Sequence, residues 1–496
     1  MSAPFYEFQL FVLATFCVAA VVYERRAKGD SDAPSSSHSR SDSTTTISGI
    51  ENGNAQSTSK PGASSTAALA RNYLIVYGIV MCADWLQGPY VYSLYREQYG
   101  YPERVVATLF VTGFLSAGIA APLVGAWADQ HGRRKACLAF CVTYTLACCC
   151  TLVNALPILY LGRVLGGIST SILFSAFESW LISSANANHL SERQLSSIFG
   201  RATVVNGAVA FLAGIMSNQL VSKYEIFTPP FIASGAALIL AYFVIRMLWS
   251  ENYGNGGGST SEKQTTFSDP FQLKRLGKAW SIVRSDSTLL TLGLTQTCFE
   301  GSMYLFVFAW VPSLQEASYP GETLPLGYIF SAFMVSMMLG SLLYSAATST
   351  FSSSSSSNAS SSTNSKLDGS LTLHAKLSSL VCTLSACALA VSVSTDDVRK
   401  RFWAFCVFEA CVGMYYPVQG MLRGALIADD HRATLSSLFR VPLNVFVVFS
   451  LMNGVSSSRL YVVAGCAVAL SLSAIMTGWV VVARTEEKDS TTTHRP

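Results

Sequence analysis

The chain has 496 residues, of which 50% are hydrophobic and only 12% charged, with a formal net charge of +4. A soluble globular protein carries about 25% charged residues, so most of this chain is expected to meet lipid rather than water. The small charge is spread along the chain and no Lys/Arg-rich block is interleaved with aromatics, which excludes the footprint of a nucleic-acid binder.

Apolar runs of about 20 residues, the length that crosses a hydrocarbon core, recur from the N-terminus onward. The first covers residues 5–23. It has no basic flank before it and is followed by YERRAKGD, the reverse of a cleavable signal peptide's charge order. Residues 1–24 are therefore expected to form an anchor with the N-terminus outside. The Ser/Thr-rich stretch 25–71 reads as a disordered cytoplasmic linker. Six runs follow, at 72–95, 105–127, 136–156, 158–183, 195–221 and 227–249, and form a first half over 72–249.

Residues 250–286 are Gly/Ser-rich at first and basic amphipathic afterwards. This suits a cytoplasmic connector that lies partly on the membrane surface. Six more runs, at 287–311, 326–346, 371–393, 402–427, 433–456 and 460–483, make a second half over 287–483, with residues 484–496 as a cytoplasmic tail. The Ser-rich segment 351–366 inside that half reads as disordered. Its Asn358 sequon faces the cytoplasm in this topology and so escapes glycosylation. With the helices alternating in this way, 23 Lys/Arg fall on the cytoplasmic side and 7 outside, while Arg163, Arg201 and Arg440 remain within helices. That asymmetry obeys the positive-inside rule.

The two halves share traces of one sequence. RQLSSIFGRATVVN, from Arg193, aligns with RATLSSLFRVPLN, from Arg432. With one gap, Leu195, Ser196, Ser197, Phe199, Arg201 and Asn206 match Leu435, Ser436, Ser437, Phe439, Arg440 and Asn444. A weaker match lays Gln87-Gly88 on Glu300-Gly301. Two six-helix halves repeated in parallel, with one extra N-terminal transmembrane helix, predict an all-α membrane fold of the rocker type, whose site lies at the midplane between the halves. All 13 cysteines fall within the predicted helices, without zinc or disulfide spacing, and read as small apolar residues.

Between the second and third runs of the first half stands GAWADQHGRRK, from Gly125 to Lys135. This resembles the signature loop of the major facilitator superfamily, with Gln130 in place of a basic residue, and GRVLGG, from Gly162, is similar to a second motif of that superfamily whose arginine is Arg163. More narrowly, ADWLQGPYVYSLY, LFSAFESWLI, WSENY, FVFAWVPSL, PLGYIFSAFM, MLGSLLY and LFRVPLN together resemble its eukaryotic molybdate-anion transporter branch, from the extra helix to the last. The resemblance implies the major facilitator fold and movement of a tetrahedral oxyanion; beside it, no cofactor, a monomer and the plasma membrane are expected, although no targeting address is legible in the sequence.

Ionisable groups inside membrane spans cost roughly 2.5 to 3.5 kcal/mol each on insertion scales and so need a partner or a wet cavity. Asp84, Glu300 and Glu409 lie at mid-membrane depth and are candidates for proton coupling or for lining a pathway. Gln87, Tyr90, Gln296 and Tyr304 could offer hydrogen bonds to a ligand, or bond between helices. Arg163 could meet an incoming anion, or pair with a carboxylate such as Asp84 or Glu409. Glu178, Arg201, Arg423 and Arg440 fall nearer the cytoplasmic ends and are expected to close an inner gate. They act there with Gly125, which would allow close helix contact, and with Asp129, Gly132, Arg133 and Arg134 of the loop; His131 and His189 are solvated loop residues. The expected activity is proton-coupled import of molybdate by alternating access. The alternatives are transport of another small anion or organic solute, and a non-transporting nutrient sensor on a transporter scaffold. No nucleophile and base at motif spacing, P-loop or metal-ligand cluster points to an enzyme.

Overall fold

The computed structural model describes residues 3–31, 63–253, 280–319, 322–356, 363–427, 429–454 and 459–484. The helices are α1 (Ala3–Ser31), α2 (Ala63–Gln87), α3 (Glu103–His131), α4 (Arg133–Thr151), α5 (Leu156–Leu173), α6 (Ala176–Ala187), α7 (Glu192–Tyr224) and α8 (Pro229–Leu248). They continue with α9 (Ser287–Ala317), α10 (Leu326–Ser356), α11 (Thr363–Ser394), α12 (Val398–Leu426), α13 (Asp429–Gly454) and α14 (Arg459–Met476).

Local chemistry sets most of the boundaries. Gly132, at a φ of 111°, breaks α3 from α4, a backbone angle that suits a residue without Cβ. Ser191 and Gln194 close a capping box on α7, and Pro opens both α5 and α8, where its missing N–H costs nothing. Asp286 and Asp397 accept the orphan N–H groups of Thr288 and Arg399.

Three expectations are corrected. The run 72–95 is not one helix: α2 ends at Gln87, a turn covers residues 88–90, and a wider-wound segment follows at Leu94–Gln98. Pro89 supplies the reason, because it lacks the N–H that would continue the ladder. The run 158–183 breaks at residues 174–175 into α5 and α6. The low-complexity segment 351–366 is helical to Ser356 and again from Thr363, because adding a residue to an existing helix is far easier than nucleating one. Asn358, the bulk of the linker and most of the central connector lie outside the described residues.

Packing reveals the repeat directly. In the first half α2 packs on α7 and α8, α3 on α5, and α4 on α5 and α8. In the second half α9 packs on α13 and α14, α10 on α12, and α11 on α12 and α14. The pairs correspond one to one. The halves meet where α7 lies along α10 and α3 along α13, two contacts that exchange under the same pseudo-twofold.

Small residues let the backbones approach, as they do where lipid supplies no hydrophobic drive. A Cβ on Gly340 of α10 would collide with the Ala410 carbonyl of α12, and one on Gly413 with that of Met337. Helix α1 is joined in sequence to the first half yet packs on the second, along α10. Tyr6 is buried with its ring edge-on to Phe402 at 5.2 Å, Arg399 lies over Phe5, and Ser345 donates to Glu24 at 2.6 Å.

Nine helices among the described residues are long and apolar enough to span a membrane on composition alone. Helices α4, α9, α12 and α13 are not among them. These four helices carry Tyr144, Glu300, Arg423 and Arg440.

Candidate polar site between the two halves

Polar side chains collect in two clusters, one per half. In the first, Tyr144 of α4 donates to Asp84 of α2 at 2.6 Å. One helical turn further on, Gln87 donates to Ser234 at 2.9 Å and approaches the Cys148 sulfur at 3.4 Å. Both are thus bonded between helices of the first half. The structure sets the Arg163 guanidinium on the Leu109 carbonyl at 3.2 Å and over the Phe110 ring. No carboxylate pairs with it among the described residues, so the expected bridge to Asp84 or Glu409 is absent. Its charge instead reaches Tyr144, the residue that holds Asp84.

The second cluster belongs to α9 and α12. Glu300 receives the Gln296 amide at 3.3 Å and the Tyr415 hydroxyl at 3.5 Å, and faces the Arg423 guanidinium at 3.8 Å. Gln296 also accepts from Arg423 at 3.3 Å, so one amide spans both ions. Tyr415 is held by stacking on Phe299 at 3.9 Å. Arg440 of α13 acts on both Glu300 and Tyr304 through its charge. Sequence placement near a helix end assigned Arg423 and Arg440 to a gate. The Arg423 side chain instead reaches Glu300, whereas Arg440 is exposed. Glu409 is buried at 6% exposure, and no hydrogen bond or ion pair reaches it among the described residues; Cys406 and Tyr416 are the titratable groups it acts on.

The halves touch near mid-helix, where Gly207 meets Met338 and Gly118 meets Asn444, and at the end that carries the Gly100 turn. There Gln315 donates to Glu97 at 2.7 Å, and the Tyr90 hydroxyl donates to Asn218 at 2.9 Å while accepting from the Gly327 N–H. Phe308 takes Tyr92 and Phe110 edge-on, and Tyr304 tilts on Phe114 at 5.0 Å. Tyr90 is therefore part of a closed seam.

At the opposite end the loop around Gly132 makes its contacts within the first half. Arg133 pairs with Asp129 at 2.8 Å and donates to the Ser179 carbonyl. Arg134 donates its backbone N–H to Glu251 and its guanidinium to the Arg246 carbonyl. Glu251 sits in a strap whose Trp249 stacks on Trp180 at 3.8 Å and whose Asn252 donates to the Trp180 carbonyl and Ser184. Glu178 and Arg201 are exposed. The close helix contact expected at Gly125 is absent, since open space surrounds it. The contact falls at Gly167, where a Cβ would lie 2.5 Å from the Gly113 carbonyl.

Residue-by-residue reading misses Tyr144, Tyr415 and Glu251. A tyrosine at a helix–helix seam carries no pattern of its own, whereas Glu251 lies inside the WSENY motif and was open to a capping interpretation. Among the described residues no three His, Cys, Asp or Glu side chains are grouped to hold a metal ion.

Residues 43–354 match the sequence model of a family described as sugar transporters with 12 transmembrane segments. A molybdate-anion transporter of Xenopus tropicalis is 32% identical over 407 residues, which cover 79% of this chain and 82% of the relative. One of Takifugu rubripes is 29% identical over 441 residues, 82% and 85% of the two chains. Among solved structures, a mutant of the peptide transporter POT in complex with sulfate has a TM-score of 0.65 at 9% identity, covering 84% of this chain and 95% of that one. A mutant of the nucleoside transporter NupG has a TM-score of 0.58 at 11% identity, covering 82% and 99%. At such identities these two structures speak for the fold alone.

Proposed function

The chain belongs to the major facilitator superfamily, in its molybdate-anion transporter branch, and from that premise we propose that it imports molybdate, a tetrahedral dianion, by proton-coupled alternating access in the plasma membrane. The observation that carries this reading is Arg423, whose guanidinium stands 3.8 Å from the Glu300 carboxylate, with the charge of Arg440 acting on the same acid. A guanidinium supplies the planar fork that an oxyanion prefers, and a cation at this depth is unfavourable without a negative partner.

The excess of Lys/Arg on the Gly132 side supports placing that end in the cytoplasm and the N-terminus outside. Importing a dianion against an inside-negative potential costs about 2.3 kcal/mol per charge per 100 mV, or about 4.6 kcal/mol for both. Two or more protons carried inward on Asp84, Glu300 and Glu409 would cancel that charge. The moving bodies are residues 72–249 and 287–483, acting in a monomer. Contacts concentrated on the Gly100 side support a conformation closed to the outside, and the Gly132 loop would latch the opposite one.

The second reading, a neutral organic solute, has the family description in its favour; the two arginines weigh against it. The test is uptake of labelled molybdate into transport-deficient cells, with and without excess sulfate, beside Arg423→Ala. Uptake that resists sulfate and collapses in the variant is expected. Absence of uptake with the protein at the cell surface would sink the molybdate reading in favour of another solute or a sensor.

A further inference from the structure

We propose that the seam at the Gly100 end has one fixed side and one jointed side: Arg401 clamps the end of α9 as the fixed side, and the first half opens by bending at residues 88–90. The proposal rests on the alternating-access reading above and says which body yields at this end. In it Arg401 is a positioning residue that never meets the anion.

Helix α9 would not be expected to keep a rigid end on its own. Pro312 stands inside it, shortly before its last residue Ala317, and a proline within a helix removes a ladder hydrogen bond and is a usual place for a kink. Arg401, in the first turn of α12, reaches across to this point. Its guanidinium donates to the Ser313 carbonyl at 2.5 Å and to the Thr395 carbonyl, just past the end of α11, at 2.6 Å, and the residue is only 7% exposed. One cation thus ties two helix C-termini, where positive charge is favourable, to the start of a third helix. Hydrogen bonds from a charged donor are among the stronger kinds. Gln315, which bonds Glu97 across the seam, follows closely on Ser313 and so sits on the clamped turn. The packing agrees, since every residue from Phe308 to Leu314 is buried.

The first half carries no such clamp. Its α5 corresponds to α12, and the fourth residue of α5, where α12 has Arg401, is the buried Leu159. Helix α2 stops at Gln87 ahead of Pro89, and the chain continues through a turn and the wide-wound segment Leu94–Gln98 to Gly100, at a φ of 72°. Wide-wound turns recur at functional sites. Arg96 spends its guanidinium on the Tyr101 carbonyl of the same loop. Neutral hydrogen bonds, from Tyr99 to the Thr151 carbonyl and from the Phe227 N–H to Gln98, hold the segment to its own half. Arg96, Glu97, Gln98 and Gly100 are exposed. Of the two sides, the one with a backbone break, exposed residues and no buried cation is the one that yields.

The experiment is hydrogen exchange read by mass spectrometry on the purified full-length protein, ligand-free and with molybdate, for wild type, Arg401→Met and Arg401→Lys, with uptake into cells measured for each. In wild type, molybdate should change exchange over residues 88–101 and leave residues 308–318 as they were. Arg401→Met should speed exchange over 308–318 without any ligand while 88–101 keeps its wild-type rate. Its uptake should lose kcat and keep KM, because both polar clusters are untouched. Arg401→Lys, which still offers N–H donors to the two carbonyls, should recover most of both losses. A molybdate response over 308–318 as large as that over 88–101 overturns the proposal, and so does a ligand-free Arg401→Met that exchanges like wild type. Should Arg401→Met fail to fold, Arg401→Gln, which keeps one donor group, takes its place in the same comparison. A wild type with neither uptake nor an exchange response to molybdate removes the oxyanion reading, and the ligand-free comparison of variant with wild type still decides whether Arg401 clamps α9.

Discussion

At the scale of single residues, packing separates glycines that the sequence does not. Gly125 opens the signature loop, yet nothing lies near the place its Cβ would take. Gly167 looks ordinary in sequence, yet a Cβ there would strike the Gly113 carbonyl, Ser116 and the Ala117 nitrogen. Overpacking of this kind costs about 1 to 3 kcal/mol, whereas Gly to Ala in an open helix gains up to about 1 kcal/mol. Thermal unfolding in detergent should therefore show Gly167→Ala melting below wild type and Gly125→Ala level with it or above. Equal melting temperatures for both variants would contradict the α3–α5 contact. The same distinction limited the reading of the site. Asp84, Glu300 and Glu409 are legible as acids in a lipid-soluble stretch because ionisable groups there are rare. Their partners are not, because Tyr144 and Arg423 approach from other helices and no local spacing encodes the approach.

At the scale of elements, two segments act where the chain order does not place them. The strap at residues 249–252 closes the first half by capping α4: Glu251 accepts the Arg134 N–H at 2.8 Å and the Asn252 carbonyl accepts that of Arg133 at 3.0 Å. A negative charge at a helix N-terminus is favourable, and losing such a cap costs about 1 kcal/mol. Glu251→Ala should lower the melting temperature, and Glu251→Gln, which keeps an acceptor, should lower it less. Identical losses in the two variants would mean that the carboxylate is not capping. The strap also anchors the start of the connector between the halves, so the WSENY motif gains a structural role close to the signature loop without entering the transport path. Helix α1 offers the opposite lesson. Its apolar length and flanking charges foretell a membrane helix, but only the seam of Tyr6 with Phe402 and of Glu24 with Ser345 assigns it to the second half. A helix that is apolar all round does not announce which neighbour it will choose.

At the scale of the whole molecule, the repeated packing of the two halves was foreshadowed by one aligned pair of segments, which fall on the corresponding helices α7 and α13. The closed seam was not foreshadowed, since which end of two rocking bodies meets is a property of the conformation rather than of any residue. The seam makes alternating access testable. Glu97 lies on the first half and Gln315 on the second, and they bond at 2.7 Å across the Gly100 end. Cysteines at both positions, joined by a short reducible cross-linker, would hold that end shut. If the halves must part there to admit the substrate, the cross-linked protein should lose most of its uptake and regain it on reduction, while each single-cysteine control keeps its activity through the same treatment. Full uptake by the cross-linked protein would mean that the anion passes without separation at this end, and the rocking of residues 72–249 against 287–483 would have to be abandoned. Exposed native thiols at Cys149 and Cys387 make those single-cysteine controls necessary, because a loss they share with the double variant belongs to the thiols and not to the seam.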